Sequence, residues 1–412
     1  MPTLKNYQHF AGRHWETGTI HNYLAYLGAK APHTGRPYSE ALLLGVSGGV
    51  LMGYFSFAYA GHDPHVAILT RNSFDPWETL LVRLGVVQHV RQTADAQKGE
   101  RNLVAALEEG LPAIVWADMF SLPYNHLPAL PDWWGAFPVL VYGFEPDTVL
   151  IADRAAVPLT VTPGELAAAR ARVKKDKHRL LTLEPPNPDK LALAVQQGLW
   201  DCLKRYTEAP VKNARANFGL AGFQRWADVL TKPKDKQSWE KVFPAGVKLY
   251  AGLTSAFDRF GLGAYGAERD RGLYADFLEE ASAILERPAV RDAADPYRAA
   301  ARGWREVGLA LLPDDVAPLR QAREQLVRRR QLFVEQGGQA QAEIAALNQQ
   351  LDTLRADLAR EFPLSAPEVA ALRERIAATV LKAGDLERAA YEILQAAMAG
   401  TPGTRRSPGT RR

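Results

Sequence analysis

The segment Glu184-Pro185-Pro186-Asn187-Pro188 constrains this chain most, because its prolines hold it extended and exclude a helix. On either side of it the residue pattern changes. Before it, β-rich runs alternate with short helical stretches, and all nine histidines of the chain fall between His9 and His178. After it almost every segment has helical periodicity and histidine is absent. At 412 residues the chain exceeds one ordinary core. The expected organisation is an α/β domain over 1–186, an all-helical domain over 187–400 and a disordered Arg/Pro/Gly tail over 401–412. In that tail TPGTRR is followed at once by SPGTRR, with no apolar residue to offset the entropy of ordering.

Charge and cysteine content narrow the function. The formal net charge is +4, and Arg405, Arg406, Arg411 and Arg412 of the tail account for all of it. The folded body is therefore near neutral, which argues against a nucleic-acid surface. Cys202 is the single cysteine, so neither an intramolecular disulfide nor a cysteine-based metal cluster can form. The N-terminus lacks the layout of a secretion signal, and no run of eighteen apolar residues occurs. A cytoplasmic protein with no membrane span, no cofactor and no metal is the expectation.

In the first part the spacing predicts helices over Trp15–Leu27, Ser39–Leu44, Pro76–Leu84 and Lys98–Glu109. Strands are expected in VLMGYFSFAYA, HVAILTR, GVVQHVRQT, PAIVWADMF, the hairpin from FPVLVYGF to VLIAD, and HRLLTLE. Thr162-Pro163 reads as a helix start, with an N-cap oxygen followed by proline at the first position. The second part predicts helices over Leu191–Tyr206, Gly222–Leu230, Trp239–Phe260, Arg271–Leu285 and Pro296–Leu312. Farther on, Ile344, Leu347, Leu351, Leu354 and Leu358 form a short heptad seam after a Gly337-Gly338 turn. About two heptads are fewer than a sustained coiled coil needs, so the seam is expected to pack within its own chain.

One series of motifs bears on function. It begins with Phe10-Ala11-Gly12-Arg13-His14-Trp15-Glu16-Thr17-Gly18, continues through Tyr38-Ser39-Glu40 to Gly45-Val46-Ser47-Gly48-Gly49, and reaches Tyr54-Phe55. Leu122-Pro123-Tyr124, Gly135-Ala136-Phe137-Pro138-Val139 and Ile151-Ala152-Asp153-Arg154 follow in order. The series resembles the N-terminal domain family of butirosin biosynthesis protein H. The helical half looks like the domain of unknown function that often follows it, with Phe218-Gly219-Leu220-Ala221-Gly222 and Trp226-Ala227-Asp228 as the clearest echo.

The resemblance implies an α+β chain: a papain-like (cysteine-peptidase-like) N-terminal domain followed by an all-α C-terminal domain. It also implies acyl transfer from a carrier-protein thioester to an amine. In that chemistry a cysteine at a helix start is activated by the helix dipole and a facing histidine, which a carboxylate orients. Carried over by motif, the cysteine position falls on Trp15 and the histidine position on Phe137, while the carboxylate survives as Asp153. Neither indole nor phenyl can accept an acyl group or a proton. The resemblance thus implies a binding or regulatory pseudoenzyme, with Trp15 and Phe137 in contact and His14, Glu40, Tyr54 and Asp153 as ligand-binding candidates.

The candidate partners are an acyl carrier protein, a peptide or an amine small molecule. One alternative is an acyltransferase without a covalent intermediate, using His14, Glu40 and Asp153 for orientation and base. Another is a helical scaffold that forms a homo-oligomer. Ser39, Ser47 and Ser56 are hydroxyls that equally suit caps, turns and strands, and any function is expected to be insensitive to thiol reagents at Cys202. Arg154 reads as a surface residue, the Trp133-Trp134 pair as a cover for the core, and Gly45, Gly48 and Gly49 as a turn rather than a phosphate loop.

Overall fold

The computed structural model describes residues 2–127 and 134–400, so Trp133 and the 401–412 tail lie outside the described residues. The chain opens with helices α1 (Trp15–Tyr26) and α2 (Glu40–Val46), followed by strands β1 (Val50–Phe57) and β2 (His65–Arg71). Then come α3 (Pro76–Leu84), β3 (Gln88–Arg91), α4 (Ala96–Glu108), β4 (Ala113–Asp118) and β5 (Ala136–Phe144). β6 (Val149–Ala152), β7 (Leu159–Val161), α5 (Pro163–Ala171) and β8 (Leu180–Leu183) close this part. Among the described residues β3-β8-β4-β5-β6-β7 form one sheet with every neighbouring pair antiparallel, and β1 and β2 pair separately. α5 starts as expected: Thr162 accepts from the Glu165 amide, Glu165 reaches back to the Thr162 amide, and Pro163 takes the first helical position.

The remainder is helical: α6 (Leu191–Thr207), α7 (Gly219–Thr231), α8 (Trp239–Val242), α9 (Val247–Phe257) and α10 (Ala264–Ile284) come first. α11 (Pro288–Arg291), α12 (Ala294–Leu311), α13 (Ala317–Gln336), α14 (Gln341–Arg360) and α15 (Ala366–Ala399) follow. The chain is thus mixed α+β with a helical C-terminal region. The single helix expected over Trp239–Phe260 is broken between α8 and α9, where Pro244 lacks an amide donor and Gly246 has φ +102°. α10 starts seven residues before the expected Arg271. Gly263 precedes it at φ +90°, and a Cβ there would lie 2.6 Å from the Phe257 carbonyl oxygen.

Packing does not follow the sequence order. One apolar core runs from Leu4 and Tyr23 through Leu181 and Leu199 to Tyr274 and Met398, on both sides of the proline-rich segment. A second core joins Met52, Tyr54, Val66 and Ile68 of the β1–β2 hairpin to Trp226, Trp239 and Trp304 of the helices. The hairpin therefore packs with the helical region. Pro186 is buried, and the Glu184 and Asn187 amides donate to Val87 and Leu84 carbonyls, so the proline-rich segment is tied to the body.

Ile344, Leu354 and Leu358 of the heptad seam are buried in the chain, with Leu347 and Leu351 packed at the core margins. Cys202 is buried in α6, its thiol directed to the Val50 carbonyl at 3.6 Å, and burial pushes its pKa up. A buried, protonated thiol is a poor target for alkylation. No helix among the described residues is long and apolar enough to cross a membrane.

Candidate functional site

The helix α1 packs against β5, which sets the start of the helix beside the residue at the head of the strand. Trp15 opens α1 and is 4% exposed; Phe137 stands on β5 opposite Ala117 of β4. Their ring centroids lie 4.1 Å apart with 23° between planes, a stacked pair. The guanidinium carbon of Arg154 lies 4.0 Å from the centre of the Trp15 ring, within cation–π range. Where the resemblance implies thiol and imidazole, an apolar contact and a cation over an indole fill the space.

Asp153 has other partners here. Its Oδ1 accepts from Arg154 Nε at 2.9 Å, and its Oδ2 accepts from Arg154 Nη2 at 2.9 Å and from the Tyr124 hydroxyl at 3.1 Å. Arg154 also donates to Asn125 Oδ1 at 2.6 Å. Arg154 makes this fork with its backbone at φ +44°, an uncommon conformation for a residue with a side chain. Burial and the Asp153 carboxylate push the Tyr124 hydroxyl well above its ordinary pKa, so it stays a donor. Contrary to the surface position expected for it, Arg154 is 6% exposed, because its charge is paired with Asp153 and its plane is laid over Trp15.

The other candidates lie elsewhere. The buried His14 is the N-cap residue of α1, with Nε2 2.8 Å from Asp270 Oδ1 and Nδ1 3.0 Å from Thr17 Oγ1. Burial alone would raise the Asp270 carboxyl, but His14, Arg71 and the Thr70 hydroxyl hold it below the usual carboxylate range. Glu40 accepts from the Arg13 and His14 amides and from the Thr17 hydroxyl, so it caps the start of α1 from α2. Tyr54 stacks on Trp226 at 5.5 Å and accepts from Trp239 Nε1 at 2.8 Å inside the second core. Ser39 caps α2 and Ser47 donates to the Leu44 carbonyl. Trp134, by contrast with a core cover, is 62% exposed.

A cavity of about 690 Å³ opens against Trp15 and Arg154. Its far wall comes from the helical half, with Phe260, Arg330, Phe333 and Leu351. Phe333 bridges the two sides: the Arg154 guanidinium carbon is 5.1 Å from its ring centre, and that of Arg330 is 5.9 Å. The motifs hold no signal for Arg330 or Phe333, which lie more than 170 residues after Arg154. Arg154 carried a weak one, its adjacency to Asp153.

Residues 14–154 match the family described as butirosin biosynthesis protein H, N-terminal. The chain carries that domain. Residues 164–330 match a domain of unknown function (DUF4872), so the pair stands in the order that the motifs implied. No curated protein matches the chain. The butirosin biosynthesis protein H domain spans Trp15, Phe137, Asp153 and Arg154, and the cavity's far wall lies mostly beyond it.

His65 also lines the cavity, and burial, together with the Arg259 charge, pushes its pKa down to about 4. Between that value and its ordinary 6.5 the unfolded chain binds a proton that the folded chain does not. Stability therefore rises with pH through this window and falls as pH drops through it. From pH 7 to pH 5 this residue is expected to cost about 1 to 2 kcal/mol, less than the full shift because solvent at the cavity wall screens the charge. Urea midpoints at both values check this: His65→Gln should shrink the drop, and an unchanged pH dependence would refute the assignment.

Proposed function

We propose that this chain is a non-catalytic relative of the acyltransferases, a papain-like domain fused to helices that works by binding. The observation that carries this reading is the stack of Trp15 on Phe137 with Arg154 over the indole. Covalent transfer needs a sulfur that attacks the thioester carbonyl, forms a new thioester and releases the carrier thiol. It also needs a base to take the thiol proton. The lost-cysteine and lost-histidine positions supply neither, and the two oxygens of Asp153 accept from Arg154 and Tyr124.

Drift would leave small polar residues at an abandoned site, whereas here Trp15, backed by Phe137, keeps the wall of a cavity intact. The cavity's volume lies within the range of small-molecule sites. A bound acylated carrier, peptide or amine would meet Trp15 as a surface rather than a nucleophile. The test is incubation with an acyl thioester of N-acetylcysteamine and an amine acceptor. Intact-protein mass is expected to stay unchanged and amide to form no faster than without protein. An acyl adduct mapped to any side chain, or amide formed in excess of the protein, would sink this reading.

A further inference from the structure

The arginines that line the cavity have different electrostatic surroundings. Arg355 is paired with Asp63 at 2.7 Å, Arg154 with Asp153, and Arg329 donates to Asn348 Oδ1 at 2.9 Å. Arg330 differs: among the described residues no carboxylate oxygen lies within 4.0 Å of it, and its Nε has no hydrogen-bond partner. Phe333 is its ring neighbour at 5.9 Å, and that ring is shared with Arg154. Burial, followed by the charge of Arg154, pushes the Arg330 pKa down to about 10, so it stays charged at neutral pH. Two guanidinium groups thus face one aromatic ring; Asp153 pairs directly with the first, while the second feels Asp258 only at longer range, too weakly to offset burial and the charge of Arg154.

A half-buried cation with no carboxylate in direct contact costs free energy that a ligand can offset. Guanidinium donors arranged as a planar fork suit carboxylate and phosphate oxygens. Around them Trp15, Phe260, Phe333 and Leu351 offer an apolar surface. We infer that the cavity is a binding site for a small molecule with an apolar body and an oxyanion, carboxylate or phosphate, that Arg330 receives.

This inference rests on the reading of the chain as a binding protein. Its test is separate, because anion affinity does not depend on whether a thioester reacts. Calorimetric titration of the full chain would use phenyl phosphate and benzoate as probes, with benzyl alcohol as the neutral control. The expected result is saturable one-to-one binding of at least one anion, weakening as salt rises, and at least about tenfold weaker binding of benzyl alcohol. Whichever anion binds tighter identifies the oxyanion as phosphate or carboxylate.

Arg330→Gln should weaken that anion about tenfold or more, while Arg330→Lys retains part of the affinity. The Tm of Arg330→Gln should match or exceed that of the parent, since a purely structural arginine would lower it. No saturable binding of either anion at about 10 mM, benzyl alcohol binding as tightly as the anions, or Arg330→Gln binding undiminished would overturn the inference.

Discussion

Glu387→Ala is expected to destabilise the chain by roughly 3 to 5 kcal/mol, because it strands a fully buried guanidinium. Arg271 and Glu387 are both 0% exposed, and Arg271 Nε donates to Glu387 Oε1 at 2.5 Å. Burial alone would disfavour the arginine's charge, yet the Glu387 carboxylate reverses that and raises its pKa. The same carboxylate accepts from Trp304 Nε1 at 2.7 Å and from the Tyr206 hydroxyl. Arg271 uses its other nitrogens on the Thr70 and Leu51 carbonyls, at 2.6 and 3.0 Å.

One ion pair thereby ties α15 to α12, α10 and α6, and through Arg271 to both strands of the β1–β2 hairpin. Removing the carboxylate leaves Arg271, Trp304 and Tyr206 short of an acceptor together. Substituting both members, Arg271→Met with Glu387→Met, should cost less than the sum of the single changes, since no lone charge remains buried. Urea denaturation followed by circular dichroism reads both effects, and a loss below about 1 kcal/mol for Glu387→Ala would mean that water reaches the pair.

Local chemistry was legible where local residues determine it. The range Pro76–Leu84 matched α3, and Thr162-Pro163 marked the start of α5, where the structure adds Glu165 as the reciprocal cap. Strand runs such as HVAILTR matched β2 residue for residue. The break at Pro244 and Gly246 was hidden because the apolar spacing continues through it. The three-residue β7 is too short for alternation to register, and α15 was passed over because its many alanines blur the apolar stripe.

Of the site, the motif order brought Trp15, Phe137 and Asp153 together. His14 and Tyr54 were assigned to the cleft because nothing nearby in sequence shows their partners. Asp270 lies 256 positions from His14, and Trp239 lies 185 from Tyr54. Contacts at that separation come from packing two halves against each other, and residue patterns within either half hold no record of them.

Trp15→Ala is expected to cost roughly 3 to 5 kcal/mol, the range for deleting a large buried aromatic. The indole is 4% exposed, stacked on Phe137 and lying under Arg154, so its loss opens space on two sides. Phe137 is half-buried, so Phe137→Ala should cost less. A double-mutant cycle separates the stacking itself, expected at about 0.5 to 1.5 kcal/mol, from the burial of each ring.

The pair Trp15→Cys with Phe137→His restores the side chains that the family motif implies, yet it should be destabilised and should form no acyl adduct. Arg154 holds Asp153 in a two-point fork, so the new imidazole would find its orienting carboxylate already occupied, and the guanidinium now over Trp15 would face a polar gap. Should the double variant fold as stably as the parent and take an acyl group from a thioester, the aromatic pair would be a reversible plug on a working site. The fork of Arg154 on Asp153 would then have to open on demand, which its bidentate geometry opposes.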